Sequence, residues 1–431
     1  MRHQRIDVIT LGCSKNLVDS ERLMKRFEDL GYTVAHDSSR VRGEVVVINT
    51  CGFIGDAKEE SINTILQYCQ AKREGRIRKL FVMGCLSERY LAELKDEIPE
   101  VDKFYGKFNW PQLIDDLKLP APPTKPYERR LSTPGHYAYL KISEGCDRFC
   151  AFCAIPLITG RHTSVPMDQL ELEARALVAK GVKEINVIAQ DLSSYGTDLY
   201  GRLALPELVS RLADIDGLEW IRLHYAYPAQ FPYDLLPVMA SRPNVCAYLD
   251  IALQHISDKV LAGMRRHITK AETLALLERL RREVPGIHIR TTLMVGFPGE
   301  GEAEFEELKQ LVRTARFDRM GAFAYCQEDG TYSAKHLPDT VPQEVKEARL
   351  AEIMAIQEEI ALELNQAKVG QTVKVIIDRE EADYYVGRTE YDSPEVDPEV
   401  LVEKSAPMRA GEFRQVRVTA AMPFELVATP V

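Results

Sequence analysis

The sequence lacks any long apolar run. Among its 431 residues there is no stretch of about 18 apolar residues that could span a membrane, and the first ten residues lack the apolar core of a secretory signal. The chain also lacks a Walker-type glycine-rich loop, so we do not expect nucleotide hydrolysis. These absences predict a cytoplasmic protein that has no membrane partner.

Positive charge is scarce. The chain has 55 Lys and Arg against 65 Asp and Glu, which gives a formal net charge of −10. This balance disfavours non-specific binding to nucleic acid, and we expect no stable DNA binding. Residues 367–431 hold 8 basic and 12 acidic side chains. Most of these acidic side chains lie in residues 378–403, here called the acidic segment, which would attract a basic partner.

Cysteine is present in a pattern that indicates metal chemistry. Nine cysteines without a secretory signal favour metal binding or catalysis over disulfides. Cys146, Cys150 and Cys153 have the spacing Cys-x3-Cys-x2-Cys. A cubane iron–sulfur cluster normally takes one thiolate at each of its four irons, so three cysteines leave one iron open for a ligand. The alternatives are three buried thiols or a zinc site, but zinc prefers four ligands and no fourth Cys or His lies nearby in sequence.

A second set of three cysteines occupies equivalent positions in a repeated strand–helix pattern. Strand-like runs at residues 6–11, 44–49 and 79–83 are followed by Cys13, Cys51 and Cys85, and each cysteine precedes a helical run. This βαβαβα pattern predicts a parallel sheet whose ligands gather at the carboxyl ends of its strands. We therefore predict a second metal cluster there, whereas the alternative is three small buried hydrophobic residues.

The rest of the chain divides into three parts. A proline-rich linker is expected at residues 119–135, with Pro120, Pro122, Pro123, Pro126 and Pro134. It separates an α/β domain, residues 1–118, from a central domain, residues 136–366, whose six strand-like runs alternate with helices and predict a partial (β/α)6 barrel of the TIM type. Short strands in residues 367–431 predict a small antiparallel β-barrel or sandwich.

Four motifs carry a resemblance to a known family. They are LGCSKN at residues 11–16, NTCGFI at 49–54, GCL at 84–86 and the cysteine motif at 146–153. Together they resemble the methylthiotransferase family of radical S-adenosylmethionine (SAM) enzymes, and EYDSPEVD at residues 390–397 resembles the RimO-type pattern of the terminal domain. The resemblance implies two 4Fe-4S clusters, a partial radical SAM barrel that binds SAM, and a terminal domain similar to a TRAM domain.

Candidate site residues follow from position and resemblance. The six cysteines of the two sets are the predicted metal ligands and catalytic residues. Residues at strand ends could contact SAM or substrate, or could only cap turns and helices. The candidates for cofactor binding are Phe152, Gln190, Asp191, Gln254, His255, Gly296, Phe297, Pro298, Gly299 and Glu300. The family often has Thr after this glutamate, whereas Gly301 stands here.

The function implied by the resemblance is methylthiolation. In the RimO type, the acceptor is the β-carbon of an aspartate in the twelfth protein of the small ribosomal subunit, a basic protein that the acidic segment would recruit. One alternative is a methylthiotransferase that acts on adenosine in transfer RNA. An alternative of another class is a non-catalytic, zinc-dependent ribosome-binding protein. The resemblance also implies an electron donor as partner, and we expect a monomer.

Overall fold

The computed structural model describes residues 5–38, 44–117, 125 and 127–431. The first unit is a five-stranded parallel sheet in the order β2-β1-β3-β4-β5. Its elements are β1 Arg5–Thr10, α1 Ser14–Asp29, β2 Thr33–His36, β3 Val45–Thr50, α2 Gly55–Arg73, β4 Lys79–Gly84, α3 Cys85–Arg89, α4 Leu91–Glu97, β5 Lys103–Phe104 and α5 Trp110–Asp116. The predicted parallel α/β domain is confirmed. The short strands β2 and β5 were not predicted, and the helix expected at residues 88–97 is interrupted at Tyr90.

The central strand of this sheet explains why it forms. All six residues of β3 are buried, because helices cover both faces of the sheet and the run Val45–Ile48 packs on both. The strands β1 and β4 flank β3 in parallel register. The carboxyl ends of β1, β3 and β4 therefore lie side by side at one edge.

The central unit is an open, all-parallel sheet of six strands in the order β13-β12-β11-β10-β9-β6. Its elements are β6 Tyr137–Lys141, β7 Ser143–Glu144, α6 Ile155–Thr159, β8 Thr163–Ser164, α7 Met167–Ala179, β9 Glu184–Ile188, α8 Leu205–Ala213, β10 Trp220–Ala226, α9 Leu235–Ser241, β11 Val245–Ile251, α10 Asp258–Gly263, α11 Lys270–Glu283, β12 His288–Val295, α12 Glu302–Ala315, β13 Arg319–Ala324, α13 Tyr332–His336 and α14 Gln343–Gln366. The predicted partial barrel is confirmed, and α14 packs along the edge strand β13.

The last unit is a closed five-stranded barrel in the order β14-β15-β16-β18-β17. Its strands are β14 Thr372–Glu380, β15 Tyr384–Thr389, β16 Glu399–Glu403, β17 Phe413–Met422 and β18 Glu425–Pro430. The pairing of β16 with β18 is parallel and the other pairings are antiparallel. The prediction of a small β-barrel is therefore confirmed, but the prediction that all its strands pair antiparallel is wrong.

Helix α1 joins the first unit to the central one. Val18 packs against Tyr137 and Tyr139 of β6. Arg22 pairs with Glu173 of α7 at 3.0 Å. Because α1 begins directly after Cys13, this packing sets the position of the first cysteine loop over the central sheet.

Seven of the 17 residues of the expected linker lie outside the described residues, including Pro120, Pro122, Pro123 and Pro126. Its last part is held in place: Arg129 is buried between Glu21 and Glu173, 3.5 Å from each. Across the described part of the chain, no helix has both the length and the apolar character needed to cross a membrane.

Candidate active site

The first three cysteines converge at one edge of the N-terminal sheet. Cys13 is the N-cap residue of α1, Cys51 follows β3, and Cys85 is the first residue of α3. Gly12 has φ +90°, and a Cβ placed on it would lie 2.7 Å from the Cβ of Cys51. A Cβ on Gly52 would lie 2.6 Å from the Cα of Leu86. The three cysteine loops thus touch one another, as predicted, at positions that only glycine allows.

Asn16 ties these loops together and was not among the predicted site residues. Its side-chain amide donates to the carbonyls of Leu11 at 3.1 Å and Thr50 at 2.9 Å. Its Oδ1 lies 3.5 Å from the sulfur of Cys85. Asn16 therefore contacts all three loops, and its place in the LGCSKN motif was the signal that pointed to it.

The environment of Cys51 and Cys85 favours the protonated form of their thiols. Burial raises the pKa of Cys51, and burial raises the pKa of Cys85 to about 12, with Lys107 opposing and Cys13 and Cys51 adding to the rise. Binding of a metal, which requires thiolates, would therefore have to release protons.

The second set of cysteines lies on the loop between β7 and α6. Cys150 is buried, and Cys146 and Cys153 are partly exposed. The N–H of Cys153 donates to the carbonyl of Cys150 at 3.0 Å, and the N–H of Ala151 donates to the carbonyl of Met264 at 2.9 Å. Burial raises the pKa of Cys146 to about 12 and also raises that of Cys153.

Two arginines that were not predicted from the sequence lie next to this loop. Arg266 is 3% exposed and donates to the sulfur of Cys150 at 3.3 Å. The guanidinium of Arg266 lies 4.1 Å from the centroid of the Tyr227 ring, and that of Arg148 lies 4.3 Å from it. Their positive charge would compensate the charge of thiolates at this loop when its cysteines bind a metal.

Neither set forms a site for a single ion. Among the described residues, no group of three or more His, Cys, Asp or Glu side chains is placed to hold one metal ion. A zinc site draws all its ligands to one centre at about 2.0–2.3 Å. A cubane takes one thiolate at each iron, so its cysteines stand farther apart.

The predicted SAM-binding residues after β9 already form hydrogen bonds to other residues of the protein. Asp191 accepts hydrogen bonds from Arg148 at 2.7 Å, from the Ser193 N–H at 2.9 Å and from Ser194. Gln190 donates to Glu144, while its Oε1 is buried without a hydrogen-bond partner in the described chain. Gln190 thus keeps a free acceptor for a ligand, whereas Asp191 positions Arg148.

His255 and Glu300 come together from different strand ends. His255 Nδ1 accepts from the N–H of Ser257 at 3.0 Å, which leaves Nε2 facing Glu300 Oε2 at 3.2 Å. The two facing atoms are buried and, within the described residues, neither makes a hydrogen bond of good geometry. Glu300 Oε1 is held by the Gly296 N–H at 2.9 Å and by Arg349 at 2.8 Å. A ligand with polar groups would satisfy the remaining atoms.

The other candidates around this loop have distinct positions. Phe297 is fully buried and packs edge-on against Phe152, with ring centroids 6.4 Å apart. Pro298 is half-buried and Gly299 is exposed with φ +91°. Gln254 has φ +70°, an uncommon conformation for a residue other than glycine, in the loop after β11. Phe297 therefore packs against the cysteine loop through Phe152. The positive φ of Gln254 is a backbone conformation of the kind that often marks functional sites.

An ion-pair network links the two cysteine sites. Lys107, whose charge opposes the rise that burial causes in the pKa of Cys85, forms an ion pair at 2.9 Å with Glu144, two residues before Cys146. Lys141 pairs with Glu144 at 2.7 Å and with Asp19 of α1. A cavity of about 240 Å³ between the two units is lined by these four side chains. A larger cavity of about 380 Å³, lined by Arg281 and Ile287 among others, lies at the opposite ends of the strands and does not belong to the site.

The acidic segment is not the solvated surface that its composition suggested. The Asp392 side chain is 2% exposed and pairs with Arg319 at 2.5 Å, and Asp397 pairs with Arg290 at 3.2 Å. Glu395 accepts from the hydroxyls of Tyr137 and Tyr139 at 3.1 and 3.2 Å. Asp378 is likewise held by His136 and Arg388. For Asp378, Asp392 and Asp397 the expected role in a continuous acidic surface is wrong, because their carboxylates are largely buried and join the terminal barrel to side chains of the central unit. Glu395 also contacts that unit but remains exposed.

Exposed acidic residues remain in the same segment. Glu380 and Glu381 make exposed pairs with Lys404 and Arg379. Asp383 and Glu403 are also exposed. The surface that is open to a partner is therefore smaller than predicted and lies at the outer ends of β14, β15 and β16.

Comparisons with known families match the chain in three places. Residues 5–106 match the uncharacterized protein family UPF0004, residues 140–312 the radical SAM superfamily and residues 369–431 the TRAM domain. Among solved structures, the radical S-adenosylmethionine methyltransferase TsrM from Kitasatospora setae, with cobalamin and a 4Fe-4S cluster bound, superposes with a TM-score of 0.59 at 15% identity, over 77% of this chain and 74% of that one. This likeness concerns the fold alone.

Curated relatives match over the full length. The ribosomal protein uS12 methylthiotransferase RimO of Phocaeicola vulgatus is 62% identical over 430 residues, which cover 100% of both chains. The protein of the same name from Bacteroides thetaiotaomicron is 63% identical over 429 residues, 99% of this chain and 98% of that one. On this evidence the chain belongs to the RimO family of ribosomal protein uS12 methylthiotransferases.

Proposed function

We propose that the chain is a radical SAM methylthiotransferase that adds a methylthio group to the β-carbon of an aspartate in ribosomal protein uS12. The observation that carries the proposal is the pair of three-cysteine sites, one on each α/β unit, joined by the Lys107–Glu144 ion pair. One site alone would suit a simpler radical SAM reaction. Two sites held in a fixed relation suit a reaction that needs both a radical and a sulfur donor.

The two donor sets fit two 4Fe-4S clusters. Cys13, Cys51 and Cys85 would hold one cluster, and the loop with Cys146, Cys150 and Cys153 would hold the other. Each set offers three thiols, so each cluster would keep one iron open. When bound, the clusters and SAM supply the radical chemistry and the sulfur. The protein supplies charge compensation, through Arg266 at Cys150, and a fixed spacing between the sites.

Buried polar atoms without a hydrogen bond of good geometry support the SAM site. Gln190 Oε1 has no hydrogen bond in the described chain, and His255 Nε2 and Glu300 Oε2 face each other at 3.2 Å without forming one of good geometry. Buried polar atoms without partners are costly, so these three are the positions at which a polar cofactor would be held. Phe152, Phe297 and the Gly296–Glu300 turn would shape the apolar part of this site.

The substrate partner is proposed to be a ribosomal protein, and the reaction is proposed to take place in the cytoplasm. The exposed residues Glu380, Glu381, Asp383 and Glu403 are proposed to attract this basic protein, since rim charges mainly raise the association rate. An electron donor is required for the radical chemistry. The protein is proposed to act as a monomer.

Mass spectrometry of cells that lack the gene tests the proposed function. Ribosomal protein uS12 should lose one methylthio group relative to the parent strain, and transfer RNA should be unchanged. Loss of a methylthio group from transfer RNA, with uS12 unaltered, would refute the ribosomal substrate. Purified protein that stays colourless after anaerobic reconstitution and holds zinc would instead support a non-catalytic ribosome-binding protein.

A further inference from the structure

Lys15 is a buried cation that pairs with no carboxylate among the described residues. The side chain is 9% exposed, and its Nζ lies 3.2 Å from the centroid of the Tyr225 ring. The other buried lysines of the described chain each pair with a carboxylate; they are Lys107, Lys141, Lys309 and Lys346. An ammonium group removed from water normally requires such a partner, and the face of an aromatic ring replaces it only in part.

Lys15 lies between the two cysteine sites. It is the second residue of α1, two positions after Cys13. The ring beneath it belongs to Tyr225, near the carboxyl end of β10 in the central sheet. The ammonium group therefore lies where the first cysteine loop meets the mouth of the central barrel.

The backbone of Tyr225 is held in an unusual conformation. Its φ is +64°, a value that residues other than glycine seldom adopt, and its N–H donates to the buried Asp250 at 3.2 Å. Tyr225 remains 36% exposed. Strain of this kind persists only when the surroundings enforce it, and it concentrates at functional sites. Here it directs an accessible ring toward Lys15.

We propose that Lys15 binds the carboxylate of the acceptor side chain and so selects an acidic acceptor. The inference rests on the proposed function, in which the acceptor carbon of an aspartate is bonded directly to its carboxylate. The sulfur to be transferred is assigned to the site that contains Cys13, two residues from Lys15 in sequence. A cation at this place satisfies the acceptor carboxylate and draws the neighbouring carbon toward the sulfur. Tyr225 holds the ammonium group in position until the substrate arrives.

Acceptor discrimination separates this role from a purely structural one. Full-length, anaerobically reconstituted wild type and Lys15→Met are each given uS12 and uS12 whose acceptor aspartate is replaced by asparagine. Wild type should prefer the aspartate form in kcat/KM on the order of hundredfold, as expected when one member of a buried charge pair is lost. The Lys15→Met variant should lose most of this preference, while Lys15→Arg should retain much of it.

Two controls test whether Lys15→Met acts by damaging the clusters or by loosening the contact between the two units. The iron content and the visible absorption spectrum should be the same in wild type and Lys15→Met, which shows that both clusters are loaded. Lys58→Met removes another lysine that joins the N-terminal unit to the central one, through Glu328 at 2.9 Å, and should keep the wild-type preference. If Lys15→Met fails to load its clusters, Lys15→Gln, which keeps a polar tip of similar length, takes its place.

The outcomes for the inference and for the proposed function are distinct. Wild type that methylthiolates uS12, together with a Lys15→Met variant that keeps the aspartate preference, would overturn the role of Lys15 alone. The same holds if Lys58→Met lost the preference equally, because a general domain contact would then explain the effect. Wild type that modifies transfer RNA and leaves uS12 unmodified would overturn both.

Discussion

The Arg266 guanidinium donates a hydrogen bond to the Cys150 sulfur at 3.3 Å, across 116 residues of sequence. Both side chains are buried, so the charge of a thiolate at Cys150 is balanced in a medium that screens it little. The same guanidinium also donates to the carbonyl of Ala252 and stacks on Tyr227. Arg266 is therefore fixed in place before any cluster binds.

Replacement of Arg266 should lower the reduction potential of the cluster at this loop. Reduction adds negative charge, and a buried cation next to a ligand stabilises the reduced form. Arg266→Met should shift the midpoint to more negative values, whereas Arg266→Lys, which keeps the charge, should shift it less. Redox titration followed by electron paramagnetic resonance measures this shift. An unchanged midpoint in Arg266→Met, with the cluster fully loaded, would contradict the assigned role.

Removal of the second cysteine set should halve the iron content. Wild type should bind about eight iron atoms per chain if each of two cubanes holds four. Changing Cys146, Cys150 and Cys153 together to Ala should leave about four and abolish cleavage of SAM. Cys326→Ala, which alters an exposed cysteine outside both sets, should change neither. Iron content that the triple substitution leaves unchanged would disprove the assignment.

Removal of the first cysteine set should separate radical formation from sulfur insertion. Changing Cys13, Cys51 and Cys85 to Ala should leave formation of 5′-deoxyadenosine measurable, because the other cysteine loop lies on a separate sheet. Methylthiolated product should disappear. Both products are quantified by chromatography and mass spectrometry from one reaction. Loss of 5′-deoxyadenosine while the second cluster stays intact would show that the sites do not divide the work in this way.

The positions of the cysteines were predictable because the strand pattern alone sets them. Parallel strands place their carboxyl ends at one edge, so Cys13, Cys51 and Cys85 had to converge once the βαβαβα order was recognised. Lys107 and Arg266 were not predictable in this way. Each reaches its cysteine through tertiary packing, and no spacing in the sequence marks the contact.

The acidic segment shows that composition alone does not predict which charged side chains are exposed. Its net charge suggested one exposed surface, but composition does not reveal which carboxylates find buried partners. Asp392 and Asp397 meet Arg319 and Arg290, which lie on strands of another domain. These pairs form only because the terminal barrel packs on the central sheet in one orientation, and no short-range pattern in the sequence indicates that orientation.

The exposed remainder of the segment should govern association with the basic substrate. Reversing Glu380, Glu381, Asp383 and Glu403 to Lys should raise the apparent Kd for uS12, most strongly at low salt. Because screening limits exposed charges to about 8 Å at physiological ionic strength, the advantage of wild type should shrink as salt rises. Titration at several salt concentrations measures this, and 5′-deoxyadenosine formation without substrate serves as the control. Equal affinity at all salt concentrations would exclude these side chains from recruitment.

The buried pair Asp392–Arg319 should hold the terminal barrel in place above about pH 4. Burial disfavours the Asp392 carboxylate, but Arg319 and Lys368 outweigh this effect and lower its pKa to about 2. An unfolded Asp has a pKa of about 3.9. The folded protein thus binds fewer protons between these values, so the contribution of this group is complete above about pH 4 and is lost as the pH falls toward 2.

Substitution of Asp392 tests this contribution directly. Asp392→Asn leaves Arg319 buried without its counter-charge, which should cost about 3 kcal/mol at neutral pH and flatten the decline in stability between about pH 4 and 2. Trp220 of the central sheet packs on Phe413 of the terminal barrel with ring centroids 4.9 Å apart. The other tryptophan is Trp110, so in a Trp110→Phe background denaturation followed by tryptophan emission reports the separation of the two. The matched control is Glu380→Gln, which removes the exposed pair with Lys404 and should cost at most about 1 kcal/mol. If the two variants changed the transition equally, the buried pair would not be what joins the barrels, and the apolar contact of Trp220 with Phe413 would be the stronger link.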